Sequence, residues 1–313
     1  MKHGQIFGEA WRWLWQHPGL WLVGIVLSSV TLAGTAVRWW LFDYFIGQFI
    51  LDPQNVNWLV RRLQFVEGKS VLGWTVLFLA VGLLLWLLMT AAEAGLIEWV
   101  LALREKRPFS LRQLLAAGKR WLGIFIAVDT LLFLPWFLVT LAAMLVFTAV
   151  IVGLILVTAN GRSPDSAPLA GMMVSFLCLV PFVGLSLVTA LLTMAFRPLV
   201  LRQMVMQPAG VRTVIRQTWQ QGKRHWSDIL ILLALLWGIA YVFRTGSQLA
   251  EMAVISLGWA SHALWLTLIR LLMWALVALF SVGLRTWTAV TWTVAWHELL
   301  TQETPSAATN HHE

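Results

Sequence analysis

Four ionisable residues, Glu93, Asp129, Arg270 and Arg285, stand inside long apolar runs of this 313-residue chain. A charged side chain at the centre of a hydrocarbon layer costs roughly 2.5–3.5 kcal/mol on insertion scales, so each must be paired, neutralised or wetted. Asp129 falls eight residues beyond Trp121, about 12 Å along a helix at 1.5 Å per residue. Glu93 and Arg285 fall at comparable depth, which leads to the expectation of a tie between the second and the last apolar run, with Glu98 and Arg197 nearer the basic ends of their own runs. The alternative for such residues is a polar pathway or a headgroup site. Two prolines add to this set: Pro135 follows Trp121 by fourteen residues and Pro181 precedes Arg197 by sixteen, placing helix kinks at similar depth, either as static bends or as a hinge beside a lateral pocket.

Other chemistry is missing from the sequence. His297-Glu298 continues as Leu-Leu-Thr, without the second histidine of a zinc-protease helix, and Gly118-Lys119 lacks the earlier glycine and the hydroxyl of a phosphate loop. The remaining histidines show no ligand spacing, so neither a metal nor a cofactor is expected. The single cysteine, Cys178, sits in an apolar run and reads as packing. With no nucleophile and base converging, a non-enzymatic protein is expected.

The elements that carry these residues follow from composition. A chain that is 59% hydrophobic and 12% charged, with mean hydropathy +0.78, lies outside the soluble range. A helical bilayer crossing takes about 20 apolar residues. Six such stretches occur, at Leu20–Leu41, Val71–Glu93, Leu122–Phe147, Leu169–Phe196, Ile229–Phe243 with its flanks, and Ala263–Leu284. The third continues apolar to Thr158 and reads as one long helix bent at Pro135. The expected fold is all-α, a six-span membrane bundle.

Charge supports that count, because Lys and Arg concentrate in cytoplasmic loops. Arg104, Lys106, Arg107, Arg112, Lys119 and Arg120 fill one connection, and Arg197, Arg202, Arg212, Arg216, Lys223 and Arg224 another. The opposite side holds only Arg38, Arg61, Arg62, Lys69, Arg162 and Arg244. An odd number of spans would export one of the two basic connections, so both termini are expected in the cytoplasm. A cleaved signal peptide is not expected, since Glu9 and the Trp-dense approach to the first span are atypical of one. The outer connections differ: Asp52-Pro53 starts a short interfacial helix with Val56, Leu59, Val60, Leu63 and Val66 on one face, and Arg162–Asp165 is a turn.

The two basic connections echo each other. REKRPFSLRQLLAAGKRW and MVMQPAGVRTVIRQTWQQGKRHW each place a proline before a helix that ends in Gly-Lys-Arg and then Trp. Ser110 can cap the first, whose Leu111, Leu114 and Leu115 oppose Arg112 and Lys119. In the second, Val211, Val214, Ile215 and Thr218 oppose Arg212, Arg216 and Lys223. Such elbow helices are expected in the interface plane, apolar side to acyl chains and basic side to anionic headgroups. A third elbow, IFGEAWRWLWQHPGLWL, opens the chain, giving one membrane domain over 1–300 with threefold pseudo-repeats at about 1–103, 104–205 and 206–300, and a disordered cytoplasmic tail at 301–313. Of 21 tryptophans, Trp11, Trp13, Trp15, Trp21, Trp39, Trp40, Trp121 and Trp226 flank spans as an interfacial girdle would. Ala91-x-x-x-Gly95 has the small-residue spacing of a close helix contact.

Six spans with inward termini and elbows of the LREKRPFSLRQLLAAGKRW and QPAGVRTVIRQTWQQGKRHW type resemble the membrane domain attached to some bacterial glycerophosphodiester phosphodiesterases, together with the bacterial inner-membrane proteins related to it. The resemblance spans nearly the whole chain and implies a bacterial plasma-membrane location. Enzyme-bearing members hold their catalytic barrel in a separate soluble module, so the resemblance brings no active site to these residues. The expected function is lipid interaction, membrane organisation or partner docking. The alternative is a small-solute or lipid permease using the polar residues of spans two and three. Expected partners are membrane lipids, anionic ones above all, and a protein partner or second copy, with no nucleic acid.

Overall fold

The computed structural model describes residues 2–41, 68–159, 180, 183–185, 187, 194–258 and 264–309. These residues form helices joined by short turns, with no strand among them, so the fold is all-α. The helices are α1 (His3–Gln16), α2 (Gly19–Leu41), α3 (Gly68–Arg104), α4 (Leu111–Ala159), α5 (194–206), α6 (Val211–Arg224), α7 (Trp226–Gly258) and α8 (Leu264–Thr309). Five of them, α2, α3, α4, α7 and α8, are long and apolar enough to cross a membrane. The fourth expected span, Leu169–Phe196, lies mostly outside the described residues, as do Pro181, Cys178, the outer helix expected from Asp52 to Val66 and the turn at Arg162.

Local chemistry sets the breaks. α1 ends at His17, held extended at φ −122° and ψ 87° because the residue before a proline is disfavoured in the helical region. The α3 end is a Schellman motif: Arg107 N–H donates to the Ala102 carbonyl at 2.8 Å and Lys106 N–H to Leu103 at 3.1 Å, with Lys106 left-handed at φ 55° and Pro108 barring further helix. α4 then opens on a capping box. The Gln113 N–H donates to Ser110 Oγ at 3.3 Å, and the Ser110 N–H donates to Gln113 Oε1 at 2.7 Å.

Several helices outrun their expected limits. α3 continues eleven residues past Glu93, and α8 runs beyond Leu284 to Thr309, through part of the stretch expected as a tail. The elbow capped by Ser110 is not a separate helix either. It is the first part of α4, because nothing in Gly118-Lys119-Arg120-Trp121 interrupts hydrogen bonding, whereas α1 breaks at Pro18 and α6 at His225. α4 also passes through Pro135 without ending.

The chain divides into two compact units, one of residues 1–122 and 220–313, the other of 123–219. In the first, α2 packs on α3 and α8, while α1 and α7 pack on α8. Its tight crossings are built on glycine. A Cβ at Gly24 would lie within van der Waals overlap of Thr286 and Val282 on α8, and one at Gly95 would meet Leu114 at 2.7 Å. One at Gly118 would come within 2.8 Å of the Ala91 carbonyl oxygen. Both members of the Ala91-x-x-x-Gly95 pair thus face the start of α4, and both are used. Threonines in this core return their hydroxyls to the carbonyl one turn back, as Thr286 does to Val282 at 2.8 Å and Thr291 to Trp287 at 2.7 Å, so these small polar residues bring their own hydrogen-bond partners into it.

Candidate functional site

The polar residues gather where the first unit is best packed. Arg104, in the last turn of α3, donates to the Val294 carbonyl at 3.2 Å and lies 3.7 Å from Glu298 of α8. Among the ten basic residues expected at headgroups, Arg104 is therefore half-buried and committed to tying α3 to α8. The other nine, Lys106, Arg107, Arg112, Lys119, Arg120, Arg212, Arg216, Lys223 and Arg224, are exposed. Arg107 also pairs with Glu105 two residues back, and the Arg120 guanidinium lies 5.1 Å from the Trp121 ring centroid.

The elbow helices are held differently from the expectation. Ile6, Ala10 and Leu14 on α1 are fully buried by protein, and Leu114 and Ala117 of α4 and Val214 and Thr218 of α6 are buried too. The apolar stripe of an elbow is spent on helix packing, because the extended ends of α3 and α8 supply a protein surface for α1 and α4 to pack on. Leu111 and Leu115, 53% and 71% exposed, keep a face for acyl chains, as do the exposed Trp11, Trp15 and Trp219. The tryptophans separate in the same way. Trp11, Trp15 and Trp226 are exposed, as an interfacial girdle requires. Trp121 is 4% exposed and donates its indole N–H to Glu98 Oε1 at 2.6 Å, making it a bolt between α4 and α3. Trp287, Trp292 and Trp296 of α8 are core residues, which the girdle expectation did not single out.

The expected Glu93–Arg285 tie does not form. Glu93 is buried on the packed face of α3, whereas Arg285 is exposed on α8. Arg270 lies within α8, its side chain outside the described residues.

In the second unit the acid of interest does have a partner. Arg197 of α5 grips Asp129 of α4 through two hydrogen bonds, Nε to Oδ1 at 2.7 Å and Nη2 to Oδ2 at 3.0 Å. The Asp129 side chain is 1% exposed and that of Arg197 16%. This fork-on-fork geometry is the arrangement by which a carboxylate and a guanidinium compensate each other's desolvation best. Sequence reasoning noted both residues and missed their union, since sixty-eight residues separate them and no periodicity links the two helices. Nearby in the chain, Arg202 is 1% exposed and donates to the Pro198 carbonyl at 2.7 Å, and Gln203 donates to Gln207 at 2.9 Å.

No group of three or more metal-ligating side chains occurs among the described residues. Comparison of the chain with protein-family models, curated proteins and solved structures found no match.

Proposed function

We propose that this is a non-enzymatic membrane protein that organises anionic lipid, or a partner bearing the same charge, through its basic elbows, in a bacterial plasma membrane with both termini cytoplasmic. The observation that carries the proposal is the pairing of nine exposed cations with helices whose other faces are locked by protein packing. A cation on a free interfacial helix moves with that helix, whereas one on a helix bolted at Leu114, Trp121 or Val214 stays at a fixed place and presents a persistent field to headgroups. Each such Lys or Arg near an anionic surface contributes about 1 kcal/mol.

The permease alternative draws less support. Its leading residue, Asp129, has both carboxylate oxygens bonded to Arg197 and almost no exposure.

The test is reconstitution of the whole chain into nanodiscs of phosphatidylcholine with and without phosphatidylglycerol. The protein should melt higher in the anionic discs, with an advantage that shrinks as salt rises. Exchanging the nine exposed cations for glutamine should erase the advantage while leaving the fold in phosphatidylcholine intact. A wild-type protein indifferent to phosphatidylglycerol would end the proposal.

A further inference from the structure

His297 of α8 lies on the seam between α3 and α8, thirteen residues past Leu284, where the last span is expected to end, and so about 20 Å beyond it along the helix. The ring is half-buried, and its Nδ1 is enclosed without a hydrogen-bond partner among the described residues. The charged groups that reach it are Arg104 and Glu105 at the end of α3 and Glu298 on its own helix. Glu105 is exposed and paired with Arg107. Arg104 bonds on both sides of the histidine, to the Val294 carbonyl three residues before it and to Glu298 immediately after it.

Both ties of Arg104 are loose. They measure 3.2 Å to Val294 and 3.7 Å to Glu298, against about 2.7–2.9 Å for a strong charge-assisted bond. Arg197, by contrast, holds Asp129 through both oxygens at 2.7 and 3.0 Å. A loosely held carboxylate is open to a competitor, and here the competitor stands one residue away. Neutral, His297 adds no charge to the seam and Arg104 keeps Glu298. Protonated, it sets a second cation against the guanidinium in a half-buried place, a repulsion relieved when the imidazolium takes Glu298 and the guanidinium swings outward.

We infer that His297 is a proton-operated latch on Arg104: acidification transfers Glu298 from the guanidinium to the imidazolium and releases Arg104 to join the nine exposed cations at anionic headgroups. The proton comes from water, and no covalent bond of the chain changes. The inference rests on the lipid-interaction proposal above and adds its regulation. Burial and Arg104 both favour the uncharged ring, and Glu105 and Glu298 offset them only in part. The closed seam is therefore tightest above the ordinary histidine value of about 6.5 and loosens as pH falls below it.

Whole protein in nanodiscs of phosphatidylcholine, with and without phosphatidylglycerol, would be melted at about pH 7.5 and about pH 5. In phosphatidylcholine alone, acid should lower the wild-type melting temperature by about 2 °C as the seam opens. In the anionic discs the advantage over phosphatidylcholine should grow as Arg104 reaches headgroups. His297→Gln keeps a polar side chain that does not charge, so it should remove both changes, although His3, His17 and His225 still titrate in it. Glu298→Gln should act the opposite way: with no carboxylate to contest, Arg104 is free at either pH, and the anionic advantage is already enlarged at the higher one. A variant that merely misfolds does not produce that gain. A wild-type pH response in His297→Gln would overturn the latch, and so would a Glu298→Gln protein with only the wild-type advantage at the higher pH. A wild type that shows the acid shift in phosphatidylcholine yet ignores phosphatidylglycerol at both pH values would keep the latch and end the lipid proposal instead.

Discussion

Each long helix has two unlike halves. Followed away from the basic end, burial persists to Ser28 in α2, Thr90 in α3, Asp129 in α4, Leu236 in α7 and Val282 in α8, and beyond those positions exposed Leu, Phe, Val and Met take over. The glycines divide at the same places. Gly19, Gly24, Gly95, Gly118 and Gly283 press against neighbouring atoms, whereas Gly34, Gly73, Gly82, Gly238 and Gly246 face open space, Gly123 of α4 being an open position within the packed half. A contiguous exposed surface of leucine and phenylalanine is untenable in water but ordinary against acyl chains, which are as apolar as the side chains they touch. The near halves hold together by close packing of small residues and by internal polar bonds. The far halves have only lipid contact to satisfy. This difference explains why Lys119, Arg120, the bolted Trp121 and the committed Arg104 all sit at one end of the first unit: a fixed charge needs a rigid mount.

The comparison breaks most severely at Asp129, the last buried rung of α4. Asp129→Ala leaves the Arg197 guanidinium without its carboxylate, and removing one partner of a buried pair costs about 3–5 kcal/mol. Reversible unfolding in mixed micelles should register that loss. The double variant Asp129→Leu with Arg197→Met should recover most of it, because the cost lies in the orphaned charge. A single variant as stable as wild type would mean that the pair is already wet.

Glycine replacement sharpens the contrast directly. Gly24→Leu and Gly118→Leu drive a side chain into Thr286 and into the Ala91 carbonyl, and overpacking of this kind costs about 1–3 kcal/mol or more. Gly34→Leu and Gly73→Leu enter open space, remove a poor helix former and should be neutral or stabilising by up to about 1 kcal/mol. Equal losses in the two sets, measured by thermal melting in detergent, would erase the distinction between the halves. Trp121→Phe probes one bolt within the packed half. It keeps the buried ring but leaves Glu98 without the indole N–H, a loss of about 1–2 kcal/mol.

Much of this division was legible in the sequence. The helical class, the positions of the described spans, the Ser110 cap and the Ala91/Gly95 contact follow from apolar run length, turn chemistry and small-residue spacing. The helix α3 even spells its own boundary, passing from LFLAVGLLLWLLM to TAAEAGL. What failed to show was the partner of each polar group. Periodicity says which residues share a face but not which helix that face meets, so Asp129 was given no mate and Glu93 was given Arg285. The elbows misled for the same reason: an amphipathic stripe is the same in sequence whether acyl chains or the ends of α3 and α8 cover it.

The smallest expected effect concerns Lys106, the left-handed residue that closes α3. An L-residue with a Cβ is held there at a cost of roughly 1 kcal/mol, which glycine would not incur. Lys106→Gly should therefore raise the melting temperature slightly in phosphatidylcholine discs, where no anionic headgroup rewards the charge. In phosphatidylglycerol discs the same substitution removes one exposed cation worth about 1 kcal/mol, so gain and loss should nearly cancel. A gain of the same size in both lipids would mean that the Lys106 ammonium meets no headgroup, and it would move this turn from the lipid surface into open water. Glutamine separates the two contributions, because it keeps the strained Cβ yet carries no charge. Lys106→Gln should leave the melting temperature unchanged in phosphatidylcholine and lower it in phosphatidylglycerol, and no change in either lipid would leave the backbone alone to set the balance.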